Sequence, residues 1–316
     1  MALFNVSALI CEMRKAKGLT QAQLAEGICS RQTISAIEKG NRKPDWFTFK
    51  LIMHKLGVDP NHYFNDMASA DDVFIQRQVK KLDNLILTLD WDGLKVEHDN
   101  MEKDKRFSTG EGRRALLGLK ANLYNQGKYS NPQLAIEASM ERLKINRPHF
   151  KLENAHKYIL TYEEQMAINA LATVYYDIEA YEQCIALKKL VLHSLEKNNK
   201  NSMNDTNLSF SFHYFIVATG LCLAFKEYGM YEDCIAWADK AIKLYNGSRH
   251  TEYYIRILRY KAFSLLKLGQ EEGKALYKKA LLYAYIFDEY LEMGFESMKS
   301  EYNENFGDIL DLSLDM

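Results

Sequence analysis

The sequence predicts an all-α protein in three consecutive parts: a small head over residues 1–66, a linker helix over 67–92, and stacked helical hairpins over 93–316. Three observations carry that expectation. Apolar residues recur three and four apart along most of the chain, which is the spacing of helices with one buried face. Proline occurs only 4 times in 316 residues, so few helices are interrupted. A segment near residue 175 is echoed fifty residues later, as in architectures where one helical pair cannot bury its own apolar face and needs a neighbour.

Composition narrows the class further. With 47% hydrophobic and 26% charged residues, the chain has the balance of a folded globular protein and not of a disordered one. The formal net charge of −1 hides an asymmetry: residues 1–66 hold nine Lys/Arg against six Asp/Glu, a surplus of +3, which leaves −4 for the remainder. A basic head on an acidic body suits a module that meets phosphate. The five cysteines form no CxxC pair and sit among apolar neighbours, so they read as reduced buried thiols. The start, from Met1 to Asn5, has no basic stretch followed by an apolar run. The longest apolar run, Phe215 to Phe225, is about half of what a bilayer crossing requires. A cytoplasmic location without membrane contact is therefore expected.

In the head, Leu9, Ile10 and Met13 mark a first helix that stops at Lys17 and Gly18. Thr20 opens a second, short helix, because with Gln23 it can form a capping box. Leu24 and Ala25 face inward. After Gly27 and Cys29, Ser30 caps a third helix whose Ile34 and Ile37 make one apolar stripe, while Arg31, Gln32, Thr33, Ser35 and Ala36 face elsewhere. Gly40 ends it. A basic loop from Asn41 through Arg42 and Lys43 to Pro44 leads into a helix over Asp45 to Leu56. Two short helices joined by a tight turn, the second polar on its outer face, make a helix-turn-helix.

The runs Gly18 to Ala25 and Ile28 to Gly40, with Pro44, resemble the Xre/lambda-repressor-type DNA-binding domain, departing from it at Cys29, where many members have glycine. The resemblance implies that Arg31, Gln32 and Ala36 approach base edges; arginine suits guanine and glutamine suits adenine. Thr33, Ser35, Lys39, Asn41, Arg42 and Lys43 are then placed for phosphates, and Gln21 at the second helix's N-terminus likewise. It also implies a structural ion pair between Arg14 and Glu38.

Beyond a polar break from Asn65 to Asp72, apolar residues from Val73 to Leu89 predict one long amphipathic helix. Further on, Tyr175 to Leu187 is echoed by Phe225 to Trp237, and fainter copies surround Tyr124 to Ile136 and Ala262 to Tyr277. Each copy is a helix, a tight turn and a second helix with a small residue at the closing point. The pattern resembles degenerate tetratricopeptide repeats over about residues 110–290, which implies a superhelix with a concave groove.

An Xre-type head followed by such repeats resembles the RRNPP group of peptide-pheromone receptors of Gram-positive bacteria, PlcR-like regulators among them. That resemblance implies a homodimer on a double-stranded DNA operator, controlled by a short oligopeptide in the groove. Repeat geometry then nominates Asn169, Thr173, Tyr176 and Asp177 in one copy, Thr219, Lys226 and Glu227 in the next, and Arg256 and Arg259 in the last. Asparagine pairs with a peptide backbone unit and arginine with a carboxylate. Two alternatives stay open: Tyr176, Tyr214 and Tyr260 as core aromatics, and repeats that serve only dimerisation or a protein partner. No Gly-rich phosphate loop, HExxH or GxSxG is present and the eight histidines are scattered as surface or capping residues, so no enzymatic role, cofactor or metal is expected.

Overall fold

The computed structural model describes residues 6–63, 67–200, 208–245, 251–287 and 294–307. Every regular element among them is helical. The head contains α1 (Val6–Ala16), α2 (Gln21–Ala25), α3 (Arg31–Glu38) and α4 (Trp46–Lys55). Each boundary has a local cause. Thr20 and Gln23 form the expected capping box, Ser30 accepts from the Thr33 amide, and Asp45 accepts from the Thr48 amide, so orphan amides at three helix starts are satisfied. Ile10, Leu24, Ile34, Ile37, Phe49 and Ile52 are fully buried in one cluster, each contributing roughly 1.5–3 kcal/mol of transfer free energy.

The helix expected as a linker is α5 (Ala70–Leu87), begun by a second capping box between Ser69 and Asp72. It therefore starts three residues ahead of the apolar periodicity, because the cap and not the first apolar residue fixes the start. Residues 65 and 66 of the expected polar break lie outside the described residues. Next come α6 (Trp91–Lys103), α7 (Gly110–Asn125), α8 (Pro132–Lys144), α9 (Tyr162–Asp177), α10 (Tyr181–Lys200), α11 (Leu208–Glu227), α12 (Tyr231–Leu244), α13 (Thr251–Lys267), α14 (Glu272–Ile286) and α15 (Phe295–Phe306). Of the helical hairpins expected from the sequence echo, α7 packs on α8, α11 on α12 and α13 on α14.

The echo has a geometric counterpart. After α9 the Ala180 amide bonds the Tyr175 carbonyl, after α11 the Met230 amide bonds the Phe225 carbonyl, and after α13 the Gln270 amide bonds the Leu265 carbonyl. Each is the long bond of a Schellman turn, which needs a left-handed residue in between. Gly229 (φ +79°) and Gly269 (φ +71°) supply it at no steric cost, whereas Glu179 (φ +61°) adopts it with a side chain.

The chain divides into two compact units. One runs to Ala180 and takes in His193 onward of α10; the other comprises Tyr181–Leu192 and everything from Leu208. In the first unit α4 packs on α9, and α7, α8 and α9 pack on one another. In the second, α11 to α14 pack in sequence and α15 covers α14. The helix α15 was not read from the sequence, although Phe295, Met298, Tyr302 and Phe306 have helical spacing.

The head is bound to the repeats inside the first unit by buried charge. Lys50 on α4 pairs with Glu111 at 2.5 Å and Glu163 at 3.0 Å, and Glu163 also meets Arg142 at 3.2 Å. Arg147 lies between Glu26 (3.2 Å) and Glu164 (3.1 Å), directly over Gly27 (φ +73°), where any Cβ would meet its guanidinium at 2.5 Å. Lys55 donates to the Glu26 carbonyl at 2.6 Å, and burial pushes its ammonium down to about 8. Burial also pushes the Glu163 carboxyl up, but Lys50, Arg114 and Arg142 outweigh it and hold that group well below the usual carboxylate range.

Candidate nucleic-acid interface and effector residues

The third helix is anchored from beneath. Ile34 and Ile37 are fully buried, and Arg14 on α1 grips Glu38 with Nε at 2.5 Å and Nη2 at 2.9 Å while its Nη1 donates to the Leu19 carbonyl. A bidentate guanidinium–carboxylate pair fixes angle as well as distance. Burial pushes the Glu38 carboxyl up; the bonds from Arg14 and Gln21 outweigh that and hold it below the usual range. The Arg14–Glu38 geometry matches the expectation of a structural pair.

The opposite side of α3 is polar and open. Arg31 and Gln32 are exposed, and with Ser35, Ala36, Lys39 and Asn41 they line an open depression of about 430 Å³. Arg42 and Lys43 continue the exposed basic edge. Two expected phosphate contacts are engaged elsewhere: the Gln21 amide donates to Glu38 at 2.9 Å, and the Thr33 hydroxyl lies 3.0 Å from the Ser30 hydroxyl within the helix cap. A rigid capped helix, polar outward, flanked by cations and free of acidic side chains along this face, is chemically suited to a groove edged by phosphates.

Residues 12–62 match the helix-turn-helix family. Across the whole length, the chain is similar in structure to Bacillus thuringiensis PlcR, solved in complex with the peptide PapR7 and DNA, with a TM-score of 0.55 and 18% identity over 96% of this chain and 99% of that one. It is also similar to ComR from S. thermophilus, solved in complex with DNA and its signalling peptide ComS, with a TM-score of 0.47 and 17% identity over 98% and 100%. No curated protein matches in sequence. The architecture implied by the RRNPP resemblance, a helix-turn-helix head followed by helical repeats, is the one observed.

The nominated effector residues fall in both units and in different states. In the first unit Asn169, Thr173 and Tyr176 are half-buried on α9, the Thr173 hydroxyl donates to the Asn169 carbonyl, and the exposed Asp177 accepts from the Asn125 and Gln126 amides. In the second unit, Thr219 Oγ1 on α11 and Arg256 Nε on α13 are buried without a hydrogen-bond partner among the described residues. Such groups are costly to leave unmade, at roughly 1–3 kcal/mol each. Lys226 and Arg259 are paired with Glu301 of α15, and Lys226 also with the exposed Glu227. Tyr214 and Tyr260 are 1% and 5% exposed, which makes both core aromatics.

Among the described residues one set of side chains could hold a metal ion, His98, Asp99 and Glu102 on α6. His98 is no surface or capping residue: it is buried edge-on against Tyr124, and Asp99 is already held by Lys95 at 2.5 Å. No described helix is long and apolar enough to cross a membrane. All five cysteines are free thiols; Cys184, Cys222 and Cys234 are buried, whereas Cys11 and Cys29 are half-buried.

Proposed function

We propose that this chain is a cytoplasmic, non-enzymatic transcription regulator that binds DNA sequence-specifically through α3 and is controlled by a short signalling oligopeptide bound to its repeats. The observation that carries the reading is the exposed polar face of α3, held at a fixed angle by the Arg14–Glu38 pair within a segment that matches the helix-turn-helix family. In the proposed complex Arg31, Gln32 and Ala36 read bases, while Ser35, Lys39, Asn41, Arg42 and Lys43 hold phosphates, with Thr33 and Gln21 reaching the backbone from their cap and ion-pair positions.

One short helix contacts too few base pairs to find a site in a genome, so the reading includes a homodimer on two half-sites one helical turn or more apart, a turn being on the order of 34 Å. The effector role is supported by PlcR, of the same fold, which was solved with both a peptide and DNA. Asn169, Thr173, Tyr176 and Asp177 are the proposed contacts on α9.

Band-shift titrations of the full chain test the DNA half of the reading. Arg42→Ala and Lys43→Ala weaken binding to all duplexes alike and lower the salt slope by about one per lost phosphate contact. Arg31→Ala and Gln32→Ala instead cost about 1–3 kcal/mol at particular base pairs. Identical behaviour of the two pairs contradicts the division between base and phosphate contacts.

A further inference from the structure

The C-terminal helix α15 places one carboxylate where three donors converge. Glu301 Oε1 lies 2.7 Å from Lys226 Nζ on α11, and Oε2 lies 2.5 Å from Arg259 Nε on α13. The Tyr277 hydroxyl of α14 donates to Oε2 at 2.7 Å and lies 2.9 Å from the Met298 carbonyl. An ammonium, a guanidinium and a phenol from three helices around one carboxylate make a receptor for that group, since each is a donor and two are cationic. Burial pushes the Tyr277 hydroxyl up, so it stays a donor at any physiological pH.

The donors are rigid and the acceptor is peripheral. The side chains of Lys226 and Arg259 are 10% and 7% exposed, Tyr277 is fully buried, and all three stand on helices of the repeat stack. Glu301 stands on the last described helix, which packs on α14. Beside the cluster lies an open cavity of about 480 Å³, lined by the cations Lys226, Arg259 and Lys267 and by the carboxylates Glu227, Glu301 and Glu304. The cavity leaves the cluster open to an approaching carboxylate, with Lys226 already carrying Glu227 as well as Glu301.

We propose that Lys226, Arg259 and Tyr277 form a carboxylate subsite that Glu301 fills in the unliganded chain, and that a carboxylate of the effector takes the place of Glu301 and frees α15 from this anchor. The effector's carboxylate comes from its C-terminus or from an acidic side chain. The identification of the ligand as a peptide rests on the reading proposed above; the subsite itself does not. Glu301 competes as a tethered group at high effective concentration, so its removal raises the affinity of an external carboxylate by roughly tenfold.

The test uses the full chain and two kinds of probe. Glu301→Ala lowers the melting temperature, and sodium propionate at tens of millimolar restores part of it, whereas propionamide, the neutral isostere, does not. Glu301→Gln, which keeps the side-chain shape, checks that the loss follows charge. Addition of Lys226→Met and Arg259→Met abolishes the rescue. Rescue that is absent, equal with propionamide, or retained without the two cations overturns the proposal. In the second arm, fluorescein-labelled short-peptide pools are titrated into wild type and Glu301→Gln, as free acids and as C-terminal amides, each with and without Asp and Glu. Tighter binding of free acids to Glu301→Gln supports a C-terminal source, and tighter binding of acidic pools supports a side-chain source. Peptides bound without any carboxylate preference overturn the subsite while peptide sensing stands. Propionate rescue with no peptide bound by either chain upholds the subsite and removes the peptide reading.

Discussion

Glu163→Gln tests the buried charge that joins the head to the repeats. The substitution keeps the shape of a side chain only 7% exposed but removes the counter-charge of three cations: Lys50 at 3.0 Å, Arg142 at 3.2 Å, and Arg114, which is 4% exposed and has no partner for its Nε among the described residues. Lys50 keeps Glu111 at 2.5 Å, so the loss falls mainly on the two arginines. Breaking a buried pair by removing one partner costs about 3–5 kcal/mol, and the retained Lys50–Glu111 contact places the expectation near 3. For a unit of this size that lowers the melting temperature by roughly 6–12 °C. The assay is thermal and urea unfolding of the full chain, with Lys81→Met, which removes an exposed pair with Glu97, as a control expected within about 0.5 kcal/mol. Lys50→Met combined with Glu163→Gln should be less destabilising than the sum of the two, because the first already removes one stranded charge. A Glu163→Gln loss no larger than the Lys81→Met control refutes the assignment of this cluster as the joint.

Three further outcomes follow from the same structure. Lys55 is held near 8 against an ordinary 10.5, so below pH 8 both folded and unfolded chains carry its charge and the burial penalty is complete. Between pH 8 and 10.5 only the unfolded chain keeps the proton; wild-type stability gains about 3 kcal/mol relative to Lys55→Met across that window, measured by urea unfolding at each pH, and parallel curves contradict it. Glu179→Gly removes a side chain from a left-handed residue and raises stability by about 1 kcal/mol, whereas a loss on chemical denaturation argues that the Glu179 side chain matters more than its backbone. Arg14→Met strands the half-buried Glu38 and costs about 3 kcal/mol, with weaker DNA binding in band shifts as α3 loses its anchor; unchanged affinity and stability together reject the anchoring role.

What was legible in the sequence had local causes. Thr20, Ser30 and Asp45 announce helix starts because a cap and its amide lie three residues apart, and the repeat echo survives because Tyr181 and Tyr231 begin equivalent second helices. The Arg14–Glu38 pair was foreseen through family resemblance, not from spacing. The head–repeat cluster was invisible, since Lys50 and Glu111 are 61 positions apart and Arg147 and Glu26 are 121 apart, and isolated charges on helices read as solvated faces. The same distance effect hid Glu301, 75 positions from Lys226: Lys226 and Arg259 read as groove residues from the sequence, and the chain's own carboxylate occupies both. Glu179 was missed because a left-handed turn normally announces itself as glycine or asparagine. Residues 308–316 lie outside the described residues, as do residues 201–207 between α10 and α11.

The most direct test of the account is selection of duplexes from a random pool by the full chain, followed by sequencing, with wild type beside Arg31→Ala/Gln32→Ala. The account predicts that wild type enriches two related half-sites spaced by about one helical turn or a multiple of it, and that the double variant keeps salt-dependent binding but loses preference at defined base pairs. An unenriched pool, or the same motif returned by both proteins, contradicts the assignment of α3 as the reader of DNA.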